Sequence, residues 1–184
     1  MKEEQPVYAG FLRRLAAGAI DWSLVLLFST GASTATLPWS DGAFAAIVVL
    51  GGSALATLAY FTIGWARWGR TLGMRAARLV LRRTADGAAV GGRRAALRAL
   101  VAVASGASGF LALALVLSDR RESGYSGADL AVAGAALLWA EVSVAGHLWQ
   151  LVDRRKQSWQ DKLFGLVVVR SASTRRGGAR PRTA

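Results

Sequence analysis

Two carboxylates lie deep inside apolar stretches of this sequence. Asp21 sits in FLRRLAAGAIDWSLVLLF, residues 11–28, and Glu141 in LLWAEVSVAGHLWQLVD, residues 137–153. Acids held away from water bind protons or cations, and two at similar depth can share one proton. If these stretches cross a bilayer, Asp21 lies roughly 13 Å deep at 1.5 Å per residue. Glu141 lies about 16 Å from the end of its own stretch on the same arithmetic. An ionised acid at that depth costs about 2.5–3.5 kcal/mol on insertion scales, so each must face protein or water. Arg14 precedes Asp21 by two helical turns and shares its face, with Ala17 and Gly18 leaving room for another helix between them. The two side chains are about 10 Å apart along the axis, too far for a direct bridge. His147, nearer the end of the Glu141 stretch, reads as a proton relay or, preferably, as an interface anchor.

Other chemistry is absent from the pattern. The chain has no cysteine and one histidine, which excludes disulfides, thiolate metal sites and histidine-rich metal sites. No nucleophile–base set appears, and GRTLG at 69–73 lacks the spacing of a phosphate-binding loop. The sequence therefore predicts neither an enzyme nor a cofactor.

The surrounding composition sets the solvent. Of 184 residues, 53% are hydrophobic, yet 23 Lys+Arg stand against 11 Asp+Glu. The charge is segregated. Four stretches of about 20 residues or more are almost uncharged, long enough to cross a bilayer. They run over about 12–37, 43–65, 95–117 and 128–152. Between the second and third, residues 66–94 carry eight arginines against Asp86, and the chain after Val152 carries nine more Lys or Arg. Residues 38–42 and 118–129 are short and weakly acidic. The asymmetry predicts an all-α membrane protein, a bundle of four transmembrane helices with both termini and the 66–94 loop in the cytoplasm. It also explains the pI near 11.5 without nucleic acid, and makes anionic phospholipid headgroups the expected contact. The alternative for the first stretch is a cleaved signal peptide, against which stand its length and Asp21. Most tryptophans fall near the predicted span ends, as an aromatic belt requires.

The loop and tail carry a little structure of their own. GRTLGMRAARL, residues 69–79, reads as a short amphipathic helix with Arg75 and Arg78 on lipid phosphates and Leu72 and Leu79 turned inward. ARLVLRRTADGAAVGG, residues 77–92, predicts a hairpin about Asp86–Gly87. Leu166–Arg170 (LVVVR) is expected to add a third strand, since a hairpin alone is marginal. One membrane domain over 1–170 and a disordered basic tail over 171–184 result.

Three blocks, YAGFLRRLAAGAID, GRTLGMRAARLVLRRTADG and DRRKQSWQDKLFGLVVVR, in this order, resemble the RDD family of bacterial membrane proteins, named for one arginine and two aspartates. The resemblance covers about Tyr8 to Arg170. It implies that the arginine is Arg14, the first aspartate Asp21 and the second Asp161. Gln160, Arg70, Met74 and Leu166 depart from residues that family members often carry. The family implies a bacterial cell-membrane location and has been linked to transport, including cation/proton exchange. Physically, Asp161 follows a basic run outside the fourth span, and an Arg14–Asp161 contact tying the tail to the first span is expected.

Two functions follow. In the first, Asp21 and Glu141 bind a cation or proton near the midplane, with Arg14 at the inner mouth and a homodimer supplying the missing bulk. In the second, the protein is a non-catalytic scaffold or a lipid- or partner-binding module. Its basic loop and tail do the binding, and the buried charges only fix packing. The partner there is the bilayer or another membrane protein.

Overall fold

In the computed structural model the described residues are 7–36, 43–117 and 126–171. Six helices and two strands follow in order. They are α1 (Phe11–Thr36), α2 (Ala43–Trp68), α3 (Leu72–Ala76), β1 (Leu79–Arg83), α4 (Gly92–Leu117), α5 (Gly127–Leu148), α6 (Trp159–Leu163) and β2 (Leu166–Arg170), with a 3-10 turn at Trp149–Leu151. The tail expected to be disordered lies outside the described residues from position 172 onward.

Long apolar runs become helices because a backbone in hydrocarbon must satisfy its own hydrogen bonds. Three helices are long and apolar enough to cross a membrane: Phe11–Ala32, Val48–Trp68 and Leu130–Leu151. The fourth long helix, α4, packs against both α2 and α5, and α1 packs on α2. Trp22 of α1 reaches α4 at Gly106, where an added Cβ would run into the indole. The outward surface is apolar, with Leu27, Leu50, Leu55, Leu138 and Val144 all exposed. That is the inverse of a water-soluble domain, where extended exposed apolar patches are rare.

The tightest core is at one end of the helices. Ala9, Ala17, Phe61, Trp65, Met74, Leu79, Leu81, Val90, Ala95, Ala99, Leu166 and Val168 form one buried cluster. It joins the starts of α1 and α4 and the end of α2 to the two-stranded sheet.

The expected hairpin does not form. β1 pairs antiparallel with β2 instead, Leu79 opposite Arg170 and Arg83 opposite Leu166. After Asp86–Gly87 the chain returns for a single bond, Arg83 N–H to the Ala88 carbonyl at 3.0 Å. Residues 88–92 are alanines and glycines apart from Val90, whose side chain is buried in the core. They offer no β-branched face, whereas LVVVR does. No third strand forms among the described residues; the free edge of β2 meets the amino-terminal segment instead, where Tyr8 makes an isolated bridge to Val169 and Arg170 N–H donates to the Val7 carbonyl at 2.9 Å.

The amphipathic helix exists as the single turn α3, capped by Thr71, whose hydroxyl accepts from Met74 N–H. Its facing differs from expectation. Leu72 is exposed and Gly73 and Met74 are buried, while Leu79 is buried as the first residue of β1.

Candidate functional site

Two buried carboxylates organise this end of the molecule. Along α1, Ala17 and Asp21 are buried with Arg14 and Gly18 partly so, an inward stripe at three- and four-residue spacing. From that stripe Asp21 meets α2 and α3. Its Oδ1 accepts from the Tyr60 hydroxyl at 2.6 Å and from Gly73 N–H at 2.8 Å. Its Oδ2 accepts from the Thr71 hydroxyl at 2.5 Å. Tyr60 in turn accepts from Leu72 N–H at 3.1 Å. The first turn of α3 thus gives two orphan N–H groups to one acid–phenol pair, a capping arrangement supplied from another helix.

The close approach is sequence-dependent. A Cβ on Gly73 would overlap the Ala17 carbonyl and lie 2.9 Å from Asp21 Cγ. Only glycine there, opposite a small residue, lets α3 lie against α1.

The second centre is Asp161, which has no exposed surface. It stands at the third position of α6 in a capping box: Ser158 Oγ accepts from Asp161 N–H, and the Asp161 carboxylate accepts from Ser158 N–H. Arg14 Nη1 donates to Asp161 Oδ2 at 2.5 Å, and Arg98 donates to Oδ1 from Nη2 at 2.9 Å and from Nε at 3.2 Å. Burial alone would raise the Asp161 carboxyl. The Arg98 and Arg14 guanidiniums outweigh that and hold it below the ordinary carboxylate range. Arg98 also stacks 4.1 Å above the Trp65 ring. Arg14 Nε and Nη2 are buried with no partner among the described residues.

Each candidate residue now has a place. Arg14 and Asp161 are in direct contact, joining α1 to α6. Arg14 and Asp21 share a face of α1 but make separate contacts. Glu141 does not join Asp21. It is exposed on α5, which packs against α4, whereas Asp21 is buried among α1, α2 and α3. The expected shared site for a proton or cation is therefore not built, because the two acids project from helices that do not pack on each other. Between α4 and α5 the Ser143 hydroxyl donates to the Ser105 hydroxyl at 3.0 Å. His147 Nδ1 lies 2.7 Å from the Ser143 carbonyl of its own helix. Arg75 and Arg78 are both exposed, Arg78 with a positive φ of 56° in the turn from α3 into β1. Among the described residues no three metal-ligating side chains come together.

Sequence reasoning missed Arg98, Tyr60 and Thr71. For Arg98 a signal existed: it stands four residues into the third apolar stretch, and an arginine there needs a carboxylate. The chemistry of the two centres is positioning, with both carboxylates held by protein donors. Every carboxylate oxygen holds at least one donor of the protein, so the pair can position elements and has no oxygen left without a donor.

The RDD family model matches residues 8–165, and the chain belongs to that family, in keeping with its apolar helices. No curated protein and no solved structure matches the chain.

Proposed function

We infer that this RDD protein is a non-catalytic, multi-pass protein of the bacterial cell membrane that crosses it four times with both termini inside. Its working part is the basic surface built where the helix ends meet the sheet. That surface engages anionic phospholipid headgroups, and Arg14, Asp21 and Asp161 hold it against the membrane-embedded helices. The single observation that carries this reading is the use of the acids: Asp21 accepts from Tyr60, Thr71 and Gly73, and Asp161 from Arg14, Arg98 and Ser158. Acids committed to protein donors act as clamps. Transport through a joint Asp21–Glu141 site finds no support in this geometry.

The four-crossing arrangement rests on charge and length. All four long helices have one end in the basic layer, where 66–94 and the segment after α5 place their arginines. Exposed Trp68 and Trp149 stand at that level, as interfacial aromatics do.

The test is thermal stabilisation of the detergent-solubilised protein by added lipid. Anionic phosphatidylglycerol should raise the melting temperature more than zwitterionic phosphatidylcholine, and salt should erase the difference. Arg75→Gln with Arg78→Gln should reduce it. Equal effects of the two lipids at low salt would overturn the reading.

A further inference from the structure

Resting on that reading, one pocket of the basic layer has the lining of a specific lipid site. A recess of about 450 Å³ is lined by Arg93, Arg94 and Leu97 of α4 and by Lys162, Leu163 and Phe164 around the end of α6. Arg93 and Arg94 are exposed in the first turn of α4, and neither has a carboxylate partner among the described residues. Among the described residues no acid lines the recess. Lys162 forms its wall while its ammonium pairs with Asp153 at 2.7 Å, so the free charge in the recess is that of the two arginines. Arg98, one turn further along α4, turns inward to Asp161 instead.

The apolar lining is equally telling. Leu97 is 41% and Leu163 61% exposed, and Leu100, one turn further into α4, is 55% exposed. Leu97 lies roughly 4.5–6 Å along the helix axis from the two arginines. Charge outside and an exposed leucine stripe inside, at one interface, match an amphiphile with a phosphate at one end and acyl chain at the other. A larger cleft nearby, lined by Arg154, Arg155 and Lys162, also contains Asp153, whose carboxylate repels a phosphate.

We propose that the recess bounded by Arg93, Arg94 and Leu163 holds the phosphodiester headgroup of one anionic phospholipid, with its acyl chain along Leu97 and Leu100. The guanidiniums take the phosphate oxygens by paired N–H donation, and the free N–H groups of the first turn of α4 add to the field. Arg75 and Arg78 bind headgroups on a different element. The recess therefore adds a bound, slowly exchanging lipid to a diffuse attraction.

The experiment is lipid retention by native mass spectrometry of the full chain purified in mild detergent and supplied with phosphatidylglycerol. The wild type should keep one lipid. Arg93→Gln with Arg94→Gln should weaken retention about 30-fold, at two charges lost near the headgroup, while Arg93→Lys with Arg94→Lys, which keeps the charge and loses the paired donation, recovers only part of it. The melting temperature without lipid should be unchanged, because neither arginine is buried. Wild-type retention in the Arg93→Gln/Arg94→Gln protein, with anionic-lipid stabilisation still present, overturns the recess and leaves the basic-surface reading standing. Equal wild-type retention of phosphatidylcholine overturns both. Glycerol phosphate, which carries the same anion without chains, should not displace the lipid; displacement would make the ligand a soluble phosphate ester and refute the proposal.

Discussion

Replacing Asp161 by Asn removes the charge that two buried guanidiniums share. The side chains of Arg14 and Arg98 are only 11% and 12% exposed, and that of Asp161 is fully buried. An asparagine keeps the shape and one acceptor oxygen but leaves two cations facing each other in a low-dielectric site. Breaking one buried pair costs about 3–5 kcal/mol. At about 2–4 °C per kcal/mol for a chain of this size, Asp161→Asn should lower the melting temperature by roughly 10 °C. Arg14→Gln should cost less, about 1.5–3 kcal/mol. Arg98 still holds the carboxylate there, and two of the Arg14 nitrogens are unsatisfied already. Tryptophan fluorescence in detergent reports the transition well, since Trp65 stacks on Arg98 and Trp159 opens α6. If Asp161→Asn melts within about 2 °C of wild type, the clamp is not holding the fold.

Three further outcomes follow from the same geometry. Charge exchange, Arg14→Asp with Asp161→Arg, should not restore stability, because Arg98 would then face the new arginine; recovery in melting curves would mean that Arg98 is not part of the cluster. Gly73→Ala should displace α3 and lower the melting temperature by several degrees, since its Cβ would overlap the Ala17 carbonyl; a neutral result would refute the close packing of α3 on α1. Asp161 titrates below its ordinary value, so its stabilisation is complete above about pH 3.9 and is lost as pH falls through the lower native value. The melting-temperature gap between wild type and Asp161→Asn should accordingly be constant near neutrality and close in strong acid.

Much of this fold was legible because membrane solvation leaves few options. The four helical stretches come within three residues of the expected bounds at nearly every end, since length, apolarity and charge segregation all mark the same limits. The inward face of α1 was legible too, because Arg14, Ala17 and Asp21 keep helical spacing. What periodicity does not carry is the partner across space. Nothing local assigns Tyr60 and Thr71 to Asp21 or pairs Arg98 with Asp161, for those contacts depend on how α2, α3 and α6 dock. The hairpin failed for a related reason. Asp86–Gly87 makes its turn, and the Asp86 carboxylate accepts from Ala88 N–H at 3.1 Å, but the better partner for β1 lies some eighty residues later in the chain. Glu141 was paired with Asp21 on depth alone, and depth says nothing about which way a helix faces.

The central claim is that the acid in the first span holds a surface element in place and carries no ion. Hydrogen exchange over residues 72–76 in Asp21→Asn, measured beside lipid stabilisation and proteoliposome cation flux, tests it most directly. Losing charge-assisted bonds from Thr71, Tyr60 and Gly73 should remove roughly 2–3 kcal/mol from α3 and speed its exchange about 30–150-fold. Preference for anionic lipid should persist, and flux should not change. Unaltered exchange together with loss of an ion-dependent flux would contradict the account.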